Sequence, residues 1–115
     1  MGGIDMKLII AGGRDYKFTE RDHLMLNNIE GVTEVVCGMA RGADAFGLQW
    51  ARLNNIPVAE FPANWSLYGK SAGPIRNQDM AACADAVALF PGGAGTASMY
   101  RMARNYGLKI YDFRT

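Results

Sequence analysis

The chain has 115 residues, half of them hydrophobic, which is the size of one domain able to build its own core without staples. Twelve Lys and Arg against eleven Asp and Glu leave a net charge of +1, so no overall field draws the protein to a polyanion or an anionic membrane, and any anion site must be local. No apolar run reaches the roughly 20 residues of a membrane span, because Asp85 interrupts the best one, from Ala81 to Phe90.

Residues 1–6 read as a short tail. Met1-Gly2-Gly3-Ile4-Asp5 carries no basic or apolar export pattern and precedes a second potential start at Met6. From Lys7 onward, short apolar runs alternate with segments of helical period, as expected of βαβ units. Five strands are predicted: Leu8 to Ala11, Glu34 to Cys37, Val58 to Phe61, Ala86 to Phe90 and Lys109 to Phe113. Their near-continuous apolar character suits a sheet covered on both faces. A first helix should start at Thr19, with Asp22 as a weak capping pair, and bury Leu24 before Gly31. The second places Ala43, Phe46, Gly47, Trp50 and Ala51 on one apolar stripe. The third opens at Gly73-Pro74, where the fixed φ of proline suits the first helical position, and runs to about Ala84. The fourth takes Thr96 as N-cap, presents Met99, Met102, Ala103 and Tyr106 on one face and stops at Gly107. The pattern is that of a single Rossmann-like α/β domain of three layers, a five-stranded mostly parallel sheet with helices on both faces.

Every strand-to-helix loop of a parallel sheet leaves from the same edge, and ligands of such folds sit there. The loops assigned to that edge hold nine of the 14 glycines, at Gly12-Gly13, Gly38 to Gly42, Gly69 to Gly73 and Gly92 to Gly95. Glycine lets backbone N–H groups close on an anion, and a following helix N-terminus adds partial positive charge. Pro91 to Thr96 is the strongest phosphate cradle, with Gly92, Gly93, Gly95 and the Thr96 hydroxyl directly after an apolar strand. Gly38 and Gly42 are a weaker second, and Gly12 and Gly13 join them. Arg14, Arg41 and Arg76 fall on or beside these loops, and guanidinium suits bidentate phosphate contact. Asn77 can bind a ligand hydroxyl or cap its own loop, and Asp44 can orient a ribose or favour its helix start. Trp65 and Tyr68, in the longest loop, can stack on a base or pin the loop to the core.

His23, the only histidine, is expected at the surface, and the seven methionines as core filler. Cys37 and Cys83 form no CxxC and read as buried thiols, which argues against a zinc site and, with the missing export pattern, favours the cytoplasm. Neither a metal nor a cofactor is expected.

Three segments together, Gly38-Met39-Ala40-Arg41-Gly42-Ala43-Asp44, Ala72-Gly73-Pro74-Ile75-Arg76-Asn77-Gln78-Asp79-Met80 and Phe90-Pro91-Gly92-Gly93-Ala94-Gly95-Thr96, resemble the YspA-like, cpYpsA-related branch of the SLOG superfamily. The resemblance runs over nearly the whole chain from Lys7. It implies a Rossmann-like protein that binds nucleotides or nucleotide-derived signals, often within nucleotide-linked conflict or stress systems of bacteria and their phages, and it leaves room for a homo-oligomer. The same superfamily contains the Lonely Guy phosphoribohydrolases, which use an arginine and the glutamate of PGGxGTxxE to cleave an N-glycosidic bond. Here the glutamate position is Met99, so that mechanism does not carry over.

The expected function is therefore binding of a phosphate-bearing nucleotide-derived ligand such as AMP, ADP-ribose or an NAD-like compound, as a sensor or binding module. Two alternatives stand beside it. One is a hydrolase acting on a nucleotide or ADP-ribose-like N-glycosidic bond, with Arg76 on phosphate and Asp44, Asp79 or Asp15 supplying the carboxylate. The other is a nucleic-acid-binding protein, for which the near-neutral charge is a poor start.

Overall fold

The computed structural model describes residues 6–38 and 43–114, apart from the side chains of Ala43 and Asp44. Its strands are β1 (Met6–Ala11), β2 (Val32–Cys37), β3 (Val58–Glu60), β4 (Ala86–Leu89) and β5 (Lys109–Asp112). They form one parallel sheet in the order β3-β2-β1-β4-β5. Between them run α1 (Glu20–Asn27), α2 (Ala43–Leu53), the single turn α3 (Trp65–Tyr68) with a 3-10 turn after it (Gly69–Ser71), α4 (Ala72–Cys83) and α5 (Ala94–Asn105). Among the described residues, no helix is long and apolar enough to cross a membrane.

The alternation of side chains along each strand divides the core into two layers. Leu8 and Ile10 of β1, Val35 of β2 and Ala86, Ala88 and Phe90 meet Leu26 of α1 and Phe46, Trp50 and Ala51 of α2. On the opposite face Ile9, Val36, Val87 and Leu89 meet Met80 and Ala81 of α4 and Met99 and Ala103 of α5. The first two helices thus cover one face and the last two the other. The chain reverses its direction of travel across the sheet after β3, returning past β1 to start β4.

Three predicted strands end one residue early, yet Phe61, Phe90 and Phe113 each still donate an N–H to the neighbouring strand, at 2.8 Å. β1 and β2 begin two residues before their apolar runs. Helices α2 and α5 end alike. At α5, Gly107 takes φ +70°, and the amides of Leu108 and Gly107 return to the carbonyls of Ala103 and Arg104. At α2, Asn55 takes φ 55° in the corresponding place.

Several local expectations are corrected. Thr19 does cap α1, in a reciprocal box with Asp22, but the buried apolar residue is Leu26, one turn beyond Asp22, and Leu24 is 57% exposed. Burying Asp22 turns the Asp22–Leu26 line inward and Leu24 outward. α4 starts at Ala72, so Pro74 is its third residue rather than its first, where its missing N–H still costs no helical bond. The N-cap of α5 is Gly93, and Thr96 lies inside the first turn, buried. Tyr106 leaves the helix at its C-cap and is exposed. Cys37 is buried as expected, whereas Cys83, the last residue of α4, is exposed. The His23 ring is half-buried, edge-on to Phe46 at 4.6 Å.

The segment between β1 and α1 is anchored by aromatics. Phe18 stacks on Phe46 at 3.8 Å and meets the edge of Phe90, while Tyr16 donates its hydroxyl to Asp22 at 2.9 Å. Burial first, and then the Asp22 carboxylate that accepts this bond, push the Tyr16 hydroxyl above its ordinary value. The folded state therefore holds that proton more tightly than the unfolded chain. This stabilisation is complete below about pH 10, where unfolded tyrosine titrates, and is lost as pH rises through the higher folded value. A Tyr16→Phe variant should show a shallower fall of the urea midpoint between about pH 9 and 11 than the parent protein. Parallel alkaline limbs in the two proteins would refute this assignment.

Candidate functional site

Because β1 and β4 are adjacent and their following helices lie on opposite faces, a crevice must open beyond their carboxyl ends. A cleft of about 1050 Å³ lies there, with Gly12, Gly13 and Arg14 after β1, Gly38 after β2, and Gly93, Gly95 and Thr96 at the start of α5 in its lining. Its third wall is the first two turns of α4, with Gly73, Pro74, Arg76 and Asn77, and Trp65 of α3 also lines the cleft.

The floor of the cleft is two glycine loops laid back to back. The N–H of Gly13 donates to the carbonyl of Pro91 at 2.9 Å. Gly92 lies against this contact: a Cβ there would stand 2.6 Å from the Gly13 nitrogen and would overlap the Thr96 hydroxyl oxygen. Only glycine fits where two backbones approach so closely. Gly93 and Gly95 differ, since a Cβ at either would meet nothing within 4 Å. No side chain caps α5, whose N-cap is Gly93.

Arg76 enters from α4 and is partly held by the protein itself. Its Nη1 donates to the Gly38 carbonyl and its Nε to Asn77 Oδ1 at 2.9 Å. These bonds tie the start of α4 to the end of β2 and fix the guanidinium at the cleft. At least two of the five donors of Arg76 are thereby engaged, and Asn77 acts on Arg76. Arg14, exposed on the β1 loop, adds a second cation.

Of the residues predicted from the sequence, the cleft gathers Gly12, Gly13, Arg14, Gly38, Arg76, Asn77, Gly93, Gly95 and Thr96. Gly92 stands behind the lining and supports it. Asp15 and Asp79 are exposed and outside the lining. Arg41 and Gly42 lie outside the described residues; Asp44 is at the start of α2, with its side chain outside the description. Among the described residues no carboxylate lines the cleft. Met99, read from the sequence as part of a core-facing helix stripe, is 1% exposed and lines the cleft as well. Ser98 and Met80 also reach the cleft without having been singled out for it. The sequence signal for Ser98 was its place one turn into a helix that starts at a glycine loop. Met80 had none, since its burial depends on how α4 lies across the sheet.

Comparison with known proteins gives three likenesses. A family profile described as YspA, cpYpsA-related SLOG family matches residues 6–68, from β1 through α3 and short of Arg76 and the Gly93 loop. The Gene 61 protein of Mycobacterium phage D29 is 37% identical over an 87-residue alignment that covers 69% of this chain and 70% of that protein. Among solved structures, DNA processing protein A (DprA) from Streptococcus pneumoniae superposes with a TM-score of 0.72 at 14% identity, over 93% of this chain and 50% of the other. This chain therefore spans half the length of that DprA chain, and the likeness is one of fold.

Proposed function

The chain belongs to the YspA, cpYpsA-related SLOG family, for which a nucleotide-related binding or processing role is general, and from that premise we propose that it is a binding module for a phosphate-bearing nucleotide-derived ligand. AMP, ADP-ribose and NAD-like compounds are the candidates. The observation that carries the proposal is the uncapped N-terminus of α5, opening through Gly93 and Gly95 into a cleft whose charged lining residues, among those described, are Arg14 and Arg76. Backbone amides and the helix dipole favour the anion, and the guanidinium groups neutralise it.

Binding without turnover is supported by the chemistry of the lining. Met99 supplies neither a proton nor a charge where an oxocarbenium-like state would need a carboxylate. A hydrolase reading would have to rest on Asp44, the candidate carboxylate nearest by sequence to Gly38.

Gly93→Asp tests the proposal without harming the fold. A Cβ at Gly93 has open space, and Asp at an N-cap is slightly better than Gly, so stability should hold or rise by a few tenths of a kcal/mol. The new carboxylate would occupy the amides that phosphate needs. In the parent protein a ligand at 100 times its Kd adds about 2.7 kcal/mol, which raises the unfolding midpoint on the order of 10 °C. We expect that shift with at least one of AMP, ADP, ADP-ribose, NAD and cyclic nucleotides, and its disappearance in Gly93→Asp. Equal shifts in both proteins would remove the α5 amides from the site.

A further inference from the structure

We infer that the ligand of this cleft carries a planar base and that Trp65 is the platform on which the base stacks. The inference rests on the phosphate reading above and adds a contact for the remainder of the ligand. Trp65 is 53% exposed although its indole is the largest apolar side chain type, and it lines the cleft rather than the core. Sequence alone left open whether it pins its loop to the core, and α3 has no buried residue.

The indole is nonetheless positioned. Trp65 is the first residue of a turn capped by Asn64, whose side-chain oxygen accepts the Leu67 N–H at 3.1 Å. The Trp65 ring edge lies over Gly73, where a Cβ would sit 3.5 Å from Cη2, an ordinary contact distance. Gly73 is three residues before Arg76 on α4, a rise of about 4.5 Å along the helix axis. The ring and the guanidinium thus stand on one wall of the cleft, on successive turns. Pro62 and Ala63, just before Trp65 in the chain, and Pro74, next to Gly73 on α4, also line the cleft and add apolar surface to it. An aromatic surface next to a cationic one on one wall is complementary to a base joined to a phosphate, and stacking tolerates any base because each offers a π-face.

Fluorescence reports this directly, because the only other tryptophan, Trp50, is buried and donates to Asn27 at 2.9 Å. AMP and ribose 5-phosphate are titrated into the parent protein, W65A and W65F, with binding followed by calorimetry and by tryptophan emission. Both compounds should bind the parent, and only AMP should quench the Trp65 emission. W65A should weaken AMP by roughly 5- to 150-fold, the equivalent of about 1–3 kcal/mol per stacked base, and leave ribose 5-phosphate unchanged. W65F should recover most of the loss. Because the side chain is largely exposed, W65A should keep the parent unfolding midpoint. Equal affinity of the parent and W65A for AMP would overturn the inference while leaving phosphate binding intact. Failure of both compounds to bind the parent would overturn the inference, and failure of the whole nucleotide set named above would overturn the reading on which it rests as well.

Discussion

A Gly92→Ala variant should be destabilised by about 3 kcal/mol, lowering the unfolding midpoint on the order of 10 °C, although the change adds a single methyl group. The methyl would overlap the Thr96 oxygen and approach the Gly13 nitrogen to 2.6 Å. Thr96 is buried, with 5% exposure, so its side chain has little room to turn away. The Gly13 amide is fixed by its bond to Pro91, so relief requires the two loops to separate. Gly93→Ala is the matched control, one residue on and with open space around its Cβ, and should lie within about 0.5 kcal/mol of the parent. Adding Thr96→Ala to Gly92→Ala should recover only part of the loss, since the Gly13 nitrogen remains in the way. Thermal and urea unfolding of the four proteins would check the series. A Gly92→Ala midpoint equal to that of Gly93→Ala would refute the close approach of the loops. Because Gly92 stands behind the cleft lining, any loss of nucleotide affinity in this variant would report the spacing of the loops rather than a lost contact.

Asp22→Ala is expected to cost a similar amount, about 3 kcal/mol, for a different reason. The Asp22 carboxylate is 3% exposed and accepts from the Tyr16 hydroxyl and the Thr19 N–H, each at 2.9 Å, and from the Thr19 hydroxyl at 3.3 Å. Removing it leaves those donors partly buried without their acceptor and opens the capping box of α1. Asn at this position retains one acceptor oxygen and should fall between Ala and the parent. The consequence should reach the cleft, because Tyr16 follows Gly12 to Asp15 closely and its N–H bonds back to the Gly13 carbonyl. Amide exchange at Tyr16 and Thr19 should therefore quicken in Asp22→Ala before the sheet itself opens. Unchanged stability together with unchanged exchange would show that this network does not hold the loop.

The layered architecture was legible because it rests on local patterns. Apolar runs such as Ala86 to Phe90 and the Phe46, Gly47, Trp50 and Ala51 stripe carry their periodicity in the residue order itself. Which loops gather at the carboxyl edge of the sheet was legible for a related reason: in a parallel sheet, chain order decides which loops share an edge, so Gly12-Gly13, Gly38 and Gly92 to Thr96 could be grouped before any contact was known. The failures are as specific. Leu24 was placed inward on hydrophobicity alone, whereas the capping box turned Asp22 and Leu26 inward. Thr96 was read as an N-cap on side-chain chemistry, but the close pass of Gly13 behind Gly92 leaves its hydroxyl inside the first turn and Gly93 as the cap.

Composition, strand and helix periods and the positions of glycine thus determined the fold class and the edge at which the glycine loops gather, because these depend on neighbours within a few residues or on chain order. Tertiary structure alone decided which residues at that edge form the cleft. It separated Gly93 and Gly95, open to a guest, from Gly92, closed by Gly13. It bound Arg76 to the Gly38 carbonyl, brought Met99 to the lining and left Trp65 half exposed beside Gly73. Most of those distinctions rest on contacts between segments far apart in sequence, as Gly13 is from Pro91 and Gly38 from Arg76, and no local pattern encodes such distances.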